Sequence, residues 1–157
     1  MTSGPSEYRI EKVRRRVSLV MAGGERLHGD IFLQPTARYH SGPQEPLDLL
    51  NESDAFLPVD MDGRNLSLVA KDQIIRVQYE ERAADTEMDG VALASVEIHC
   101  TDGSVVGGTI RLETRADRPR LLDFLNGGGD HERFLRLRMP NGVCLVNRRQ
   151  IAQVRHR

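Results

Sequence analysis

The chain is written twice. From Val17 the run VSLVMAGGERLHGDIFL aligns without a gap on VEIHCTDGSVVGGTIRL, which begins 79 positions later at Val96. Val17 meets Val96, Gly24 meets Gly103, Gly29 meets Gly108, Ile31 meets Ile110 and Leu33 meets Leu112. After four residues are dropped from the connection, LDLLN at 47–51 matches LDFLN at 122–126. FLPV at 56–59 then matches FLRL at 134–137, and LVAKDQIIRV at 68–77 matches LVNRRQIAQV at 145–154. Order and spacing persist over some 60 residues, which makes this an internal duplication. Whatever one unit folds into, the chain must build two of them.

Each unit reads as short strands. Val96, Ile98 and Cys100 alternate with Glu97, His99 and Thr101, so one face of that segment is apolar, and Val17, Leu19 and Met21 repeat the pattern. Gly23–Gly24 and Asp102–Gly103 are hairpin-turn pairs. Gly29 and Gly108 fall inside the second strand, where glycine marks a bulge or a sharp bend. A polar connection leads to PLDLLN or RLLDFLN, read as one or two turns of helix. Three further strands are expected at Ala55–Met61, Asn65–Ala70 and Gln73–Gln78, and again at Glu132–Met139, Val143–Asn147 and Gln150–Arg155. With no Trp and only four Phe, the core must be aliphatic. Five short, bent strands and one small helix predict a small β-barrel, because curling hides both the apolar face and the sheet edges.

The phrases V-x-L-x-x-x-G-G-x-x-L-x-G-x-I-x-L and L-V-A-K-D-Q-I-I-R-V, and in the second copy G-G-T-I-R-L with L-V-N-R-R-Q-I-A-Q-V, resemble the Sm-like fold, including its bacterial Hfq-type members. Those are five-stranded SH3-like barrels that often assemble into RNA-binding rings. With the L-D-F-L-N helix, the unit is also similar to a widespread bacterial domain of unassigned function, the nearer resemblance of the two. The resemblance implies an all-β chain of two tandem Sm/SH3-like five-stranded barrels. It carries no RNA-binding residue across: where Sm proteins place an acidic and an amide residue after the second strand, this chain has Gln-Pro-Thr-Ala-Arg and Glu-Thr-Arg-Ala-Asp. The expected organisation is a basic N-terminal arm (1–15), a first barrel (16–78), an acidic linker (79–93) and a second barrel (94–157). The barrels are expected to pack about a pseudo-twofold axis, as a monomer or a small homo-oligomer.

The functional signals are sparse. Hydrophobic residues make up 39% and charged residues 29% of the chain, which excludes a disordered segment. No apolar run reaches membrane-span length and no secretory leader is evident, so no membrane association and a cytoplasmic location are expected, with Cys100 and Cys144 reduced and buried. No nucleophile elbow occurs, and His28, His40, His99, His131 and His156 are scattered without partners at short spacing. Gly127–Gly129 lacks the Lys and Ser/Thr of a phosphate loop, and Asp60-Met-Asp62-Gly63 lacks the glycine and glutamate of a calcium loop. No catalytic, metal or cofactor residue is therefore assigned.

The candidate binding surface is basic: Arg14, Arg15 and Arg16, with Arg148 and Arg149 near the C-terminus. Arginine clusters of this kind contact phosphates or an acidic partner, although most such runs are simply solvated. The leading expectation is a non-catalytic binding or scaffold module acting through protein contacts. Single-stranded RNA or DNA binding is the alternative, weakened by the shortage of aromatic residues for base stacking. A cyclic-dinucleotide receptor, suggested by Asn65-Leu-Ser67-Leu-Val-Ala70, ranks third. The short helices at 47–51 and 121–126 carry enough apolar residues to serve as docking patches.

Overall fold

The computed structural model describes residues 12–62, 65–81, 92–112, 121–127 and 132–157. The expected arm up to residue 11 and most of the acidic linker lie outside the described residues. The two halves match element for element. In the first are β1 (Val13–Met21), β2 (Arg26–Leu33), α1 (Pro46–Leu50), β3 (Phe56–Met61), β4 (Asn65–Ala70), a single 3-10 turn (Lys71–Gln73) and β5 (Ile74–Tyr79). In the second are β6 (Ala92–Cys100), β7 (Val105–Leu112), α2 (Leu121–Asn126), β8 (Phe134–Met139), β9 (Gly142–Asn147), a 3-10 turn (Arg148–Gln150) and β10 (Ile151–His156). Paired strands have equal lengths. β1 begins at Val13, so the arginine run belongs to the strand and not to an arm.

Local geometry follows the sequence. Gly24 and Gly103 occupy the same turn position with φ of 92° and 88°, a region open to glycine and costly for other residues. Val17 pairs with Gly29 and Val96 with Gly108, the same register in each hairpin. Gly29 has a packing reason as well. A Cβ there would lie 2.7 Å from the Asp60 carbonyl oxygen and 2.7 Å from Val59 Cγ1, because β3 crosses directly over β2. Gly108 meets Arg138 and Leu137 in the same way. The ladder between β2 and β3 is a single pair, Asp30 with Asp60, and between β7 and β8 it is Thr109 with Arg138. β3 and β8 approach closely at both glycines.

The larger arrangement departs from expectation. All ten strands belong to one open antiparallel sheet, ordered β10-β6-β7-β8-β9-β5-β1-β2-β3-β4. The two expected five-stranded units are not separate: β5 pairs with β9 of the other repeat, so one ladder runs through both. Nor is the joint pseudo-twofold. A twofold would set like strand against like, whereas here the fifth strand of one repeat meets the fourth strand of the other. The relation is head to tail.

Two hydrophobic clusters sit along this sheet, and each borrows from the other repeat. The first is built on Leu19, Ile31, Leu50, Leu57, Val59 and Ile74 and is completed by Phe134, Val143 and Leu145 of the second repeat. The second, around Val96, Ile98, Ile110, Leu135 and Leu137, takes in Val20 and Ile75 of the first. β9 serves both: Val143 and Leu145 face one cluster, Cys144 and Val146 the other. All six of its residues are buried. Among the described residues no helix is long and apolar enough to cross a membrane.

Candidate interaction surfaces

The arginine run is divided by strand alternation. Arg14 and Arg16 point to one face of β1 and Arg15 to the other. Arg14 donates to Asp60 Oδ2 at 2.7 Å and to Asp30 Oδ2 at 3.4 Å, and its guanidinium lies 5.0 Å from the Phe32 ring centre. The hydrogen bond to Asp60 raises its pKa above the ordinary arginine value. Arg16 comes within 3.9 Å of Asp30 Oδ1. Arg15 is buried, stacks 4.9 Å from the Tyr79 ring centre and donates to the Glu80 carbonyl at 2.9 Å. One of these three charges, Arg15, is thus spent inside the protein, Arg14 and Arg16 are exposed beside Asp30 and Asp60, and the run forms no continuous basic stripe.

Arg148 is likewise structural. It donates to the Leu125 carbonyl at 2.9 Å, at the C-terminal end of α2, approaches Glu132 at 3.4 Å and stacks over Phe124. Burial lowers its pKa. Lys71 holds the equivalent position in the first repeat and does the same work, donating to the Leu49 and Glu52 carbonyls at 3.0 Å each. Helix ends leave carbonyls without partners, and a basic residue placed after the fourth strand satisfies them in both copies. Only 1% of Lys71 is exposed, and burial depresses its pKa. Arg149 remains on the surface, 3.8 Å from Asp72 Oδ2.

Other polar groupings are explained locally. His40, Glu45 and Asp48 present ligand atoms within 4.8 Å of one another. Yet His40 Nε2 and Asp48 Oδ2 are hydrogen-bonded at 2.6 Å, and Asp48 Oδ2 accepts the Glu45 backbone N–H at 2.8 Å, fastening the first turn of α1. Ser18 Oγ lies 2.9 Å from His28 Nδ1 as a directly opposed cross-strand pair. Among the described residues no carboxylate is hydrogen-bonded to the other ring nitrogen of His28, as a catalytic triad requires. Cys100 and Cys144 are free and buried, and burial pushes the Cys144 thiol up to about 12.

The sequence reading missed an exposed apolar surface on β3 and β4. Phe56 is 57% exposed, Leu66 61% and Leu68 65%. Their counterparts in the duplication are Phe134, Val143 and Leu145, at 2%, 1% and 0%. The same three positions that fill a core at the internal joint therefore stand in water at the free edge formed by β3 and β4. A cavity of about 150 Å³, lined in part by Phe32, Leu49, Phe56 and Lys71, opens beside this patch. Of the two helices, α1 buries Pro46 and Leu50, whereas α2 has no buried residue and leaves Leu122 66% exposed. One signal was legible beforehand. NLSLVA in β4 alternates, as a strand with one wet face does, while GVCLVN in β9 replaces the serine with cysteine and reads as a strand covered on both faces.

No protein-family model, curated protein or solved structure matches this chain.

Proposed function

We propose that this protein is a non-catalytic binding or scaffold module, working in the cytoplasm through protein contacts made at the open ends of its duplicated sheet. The observation that carries the reading is the exposure of Phe56, Leu66 and Leu68 at the end of the sheet, where among the described residues β4 has no partner on its outer edge. Natural edge strands are blunted with charge, proline or a covering element, and β4 (NLSLVA) has no charged residue and no proline. An apolar patch next to free backbone donors and acceptors is what strand-adding protein partners recognise. We read each repeat as a curled Sm-like small-barrel unit, consistent with strand orders that repeat in step, β5-β1-β2-β3-β4 and β10-β6-β7-β8-β9.

The engagement of Arg15 and Arg148 with the Glu80 and Leu125 carbonyls, and the pairing of exposed Arg14 with Asp60, favour this reading over single-stranded nucleic acid binding, which draws on arginines free of internal carboxylates. The test is co-purification from native lysate at physiological salt, monitored at 260 and 280 nm. A stoichiometric protein partner, another protein or further copies of this chain, retained by wild type and lost with Leu66→Asp/Leu68→Asp, is expected. Absence of any stoichiometric protein partner, or a nucleic-acid spectrum on a salt-sensitive species, would overturn the proposal.

A further inference from the structure

The joint between the repeats specifies its own missing half. At that joint β5 of the first repeat lies against β9 of the second, with Arg76 opposite Val146, Val77 opposite Leu145, Gln78 opposite Cys144 and Tyr79 opposite Val143. By the duplication, β10 is the counterpart of β5 and β4 the counterpart of β9. Those are the two end strands of the sheet, and among the described residues neither has a partner on its outer edge. Each chain therefore carries one used and one unused copy of the same head-to-tail interface.

Burial supports this position by position. Ile74, Ile75 and Val77 in β5 are fully buried, while their counterparts Ile151, Ala152 and Val154 in β10 are only partly covered or exposed. Phe134, Val143 and Leu145 complete the first core, and the second core lacks the equivalent trio. The chain holds that trio as exposed Phe56, Leu66 and Leu68. In their place the second core has Leu121, Phe124, Leu125, Ile151 and Val154 at its margin, all only partly buried. The exposure of α2 has the same origin: α1 is closed over by β8, and α2 has no β3 to close over it.

We infer that the partner of the open edges is a second copy of this chain, whose β4 adds to β10 head to tail and whose Phe56, Leu66 and Leu68 complete the second core. This rests on the protein-contact reading and names its occupant. The register transfers directly, with Gln153 opposite Val69, Val154 opposite Leu68, Arg155 opposite Ser67 and His156 opposite Leu66 of the neighbouring copy. Three polar contacts transfer too. Asn51 Oδ1 accepts the Phe134 N–H at 2.8 Å, and Asn126 stands ready to accept from Phe56. Gln150 donates to the Asp72 carbonyl at 3.0 Å, and Gln73 can reach the Arg149 carbonyl in the same way. Asp72 and Arg149 hold equivalent positions and pair at 3.8 Å, so alternating repeats place opposite charges together at every joint.

The second joint is the weaker one. Ala152 replaces Ile75 and His99 replaces Val20, which removes apolar contact. Ala70 replaces Asn147, whose amide donates to the Lys71 and Ile74 carbonyls across the internal joint. Asn65 replaces Gly142, where a Cβ would strike the Tyr79 carbonyl, so the new ladder ends at Leu66. Assembly is therefore concentration-dependent. A heterologous contact of this kind closes into a ring when its rotation divides a full turn and otherwise grows as a filament.

The test uses the full chain. Light scattering after size exclusion should give, at rising concentration, integer multiples of the 17.7 kDa chain mass. Leu66→Asp/Leu68→Asp should return the mass to one chain with the far-UV spectrum unchanged, since both residues are exposed in the single chain. Mixing a Leu68→Cys chain with a Val154→Cys chain under mild oxidation should give the mixed disulfide in preference to either homodimer, because directly opposed strand residues lie within disulfide range. A monomer at every concentration would overturn the inference, as would an assembly indifferent to the aspartates or a dominant Leu68→Cys homodimer. If lysate co-purification still recovers a different protein while the chain alone stays monomeric, the protein-contact reading survives and the second-copy occupant does not.

Discussion

Phe134→Ala and Phe56→Ala form a matched pair that tests whether the two repeats share one core. The residue type, the strand position and the substitution are the same, and only the surroundings differ. Phe134 is 2% exposed and packs into the first repeat's cluster, whereas Phe56 is 57% exposed. Truncating a buried phenylalanine costs about 3–5 kcal/mol, from lost transfer free energy and from the cavity that remains. Truncating one that is more than half in water costs about 1 kcal/mol or less. Against a total stability of about 5–15 kcal/mol, the contrast is large. Urea denaturation at a protein concentration below that of self-association is the assay. With a slope of about 1–3 kcal/mol per molar, the two midpoints should differ by roughly 1–2 M. Equal midpoint shifts in dilute protein would refute the shared core, as would a wild-type curve with two separate transitions, one for each repeat.

Gly29→Ala should destabilise by about 1–3 kcal/mol, because its Cβ meets the Asp60 backbone carbonyl, which cannot yield without moving β3. Gly23→Ala, with nothing within 4 Å, should change stability by about 0.5 kcal/mol or less in either direction, and thermal unfolding distinguishes the two. His40 is held above its ordinary pKa of 6.5 by its hydrogen bond to the Ser41 carbonyl and then by Asp48. Its stabilising contribution is fully present below pH 6.5 and is lost as pH rises through the folded-state value. The wild-type advantage over His40→Gln should accordingly shrink across that interval, and an advantage that grows with pH would contradict the assignment.

The duplication, the hairpin turns at Gly24 and Gly103 and the aliphatic core were legible because each depends on residues close in sequence or on a period of two. The arginines were legible as residues but not as a site. Alternation along β1 turns Arg15 away from Arg14 and Arg16, and only the fold reveals that Asp60 and the Glu80 carbonyl wait beside them.

Local pattern therefore sets the unit: five strands, one short helix, two copies, and which face of most strands is apolar. How the units join depends on contacts between residues far apart in the chain. Periodicity tells which side of a strand is buried, but backbone donors and acceptors are the same along every edge, so a pattern of side chains does not say which edge finds which partner. Phe56 and Phe134 are one residue in one motif, and they differ because β9 pairs with β5 while β4, among the described residues, has no strand on its outer edge.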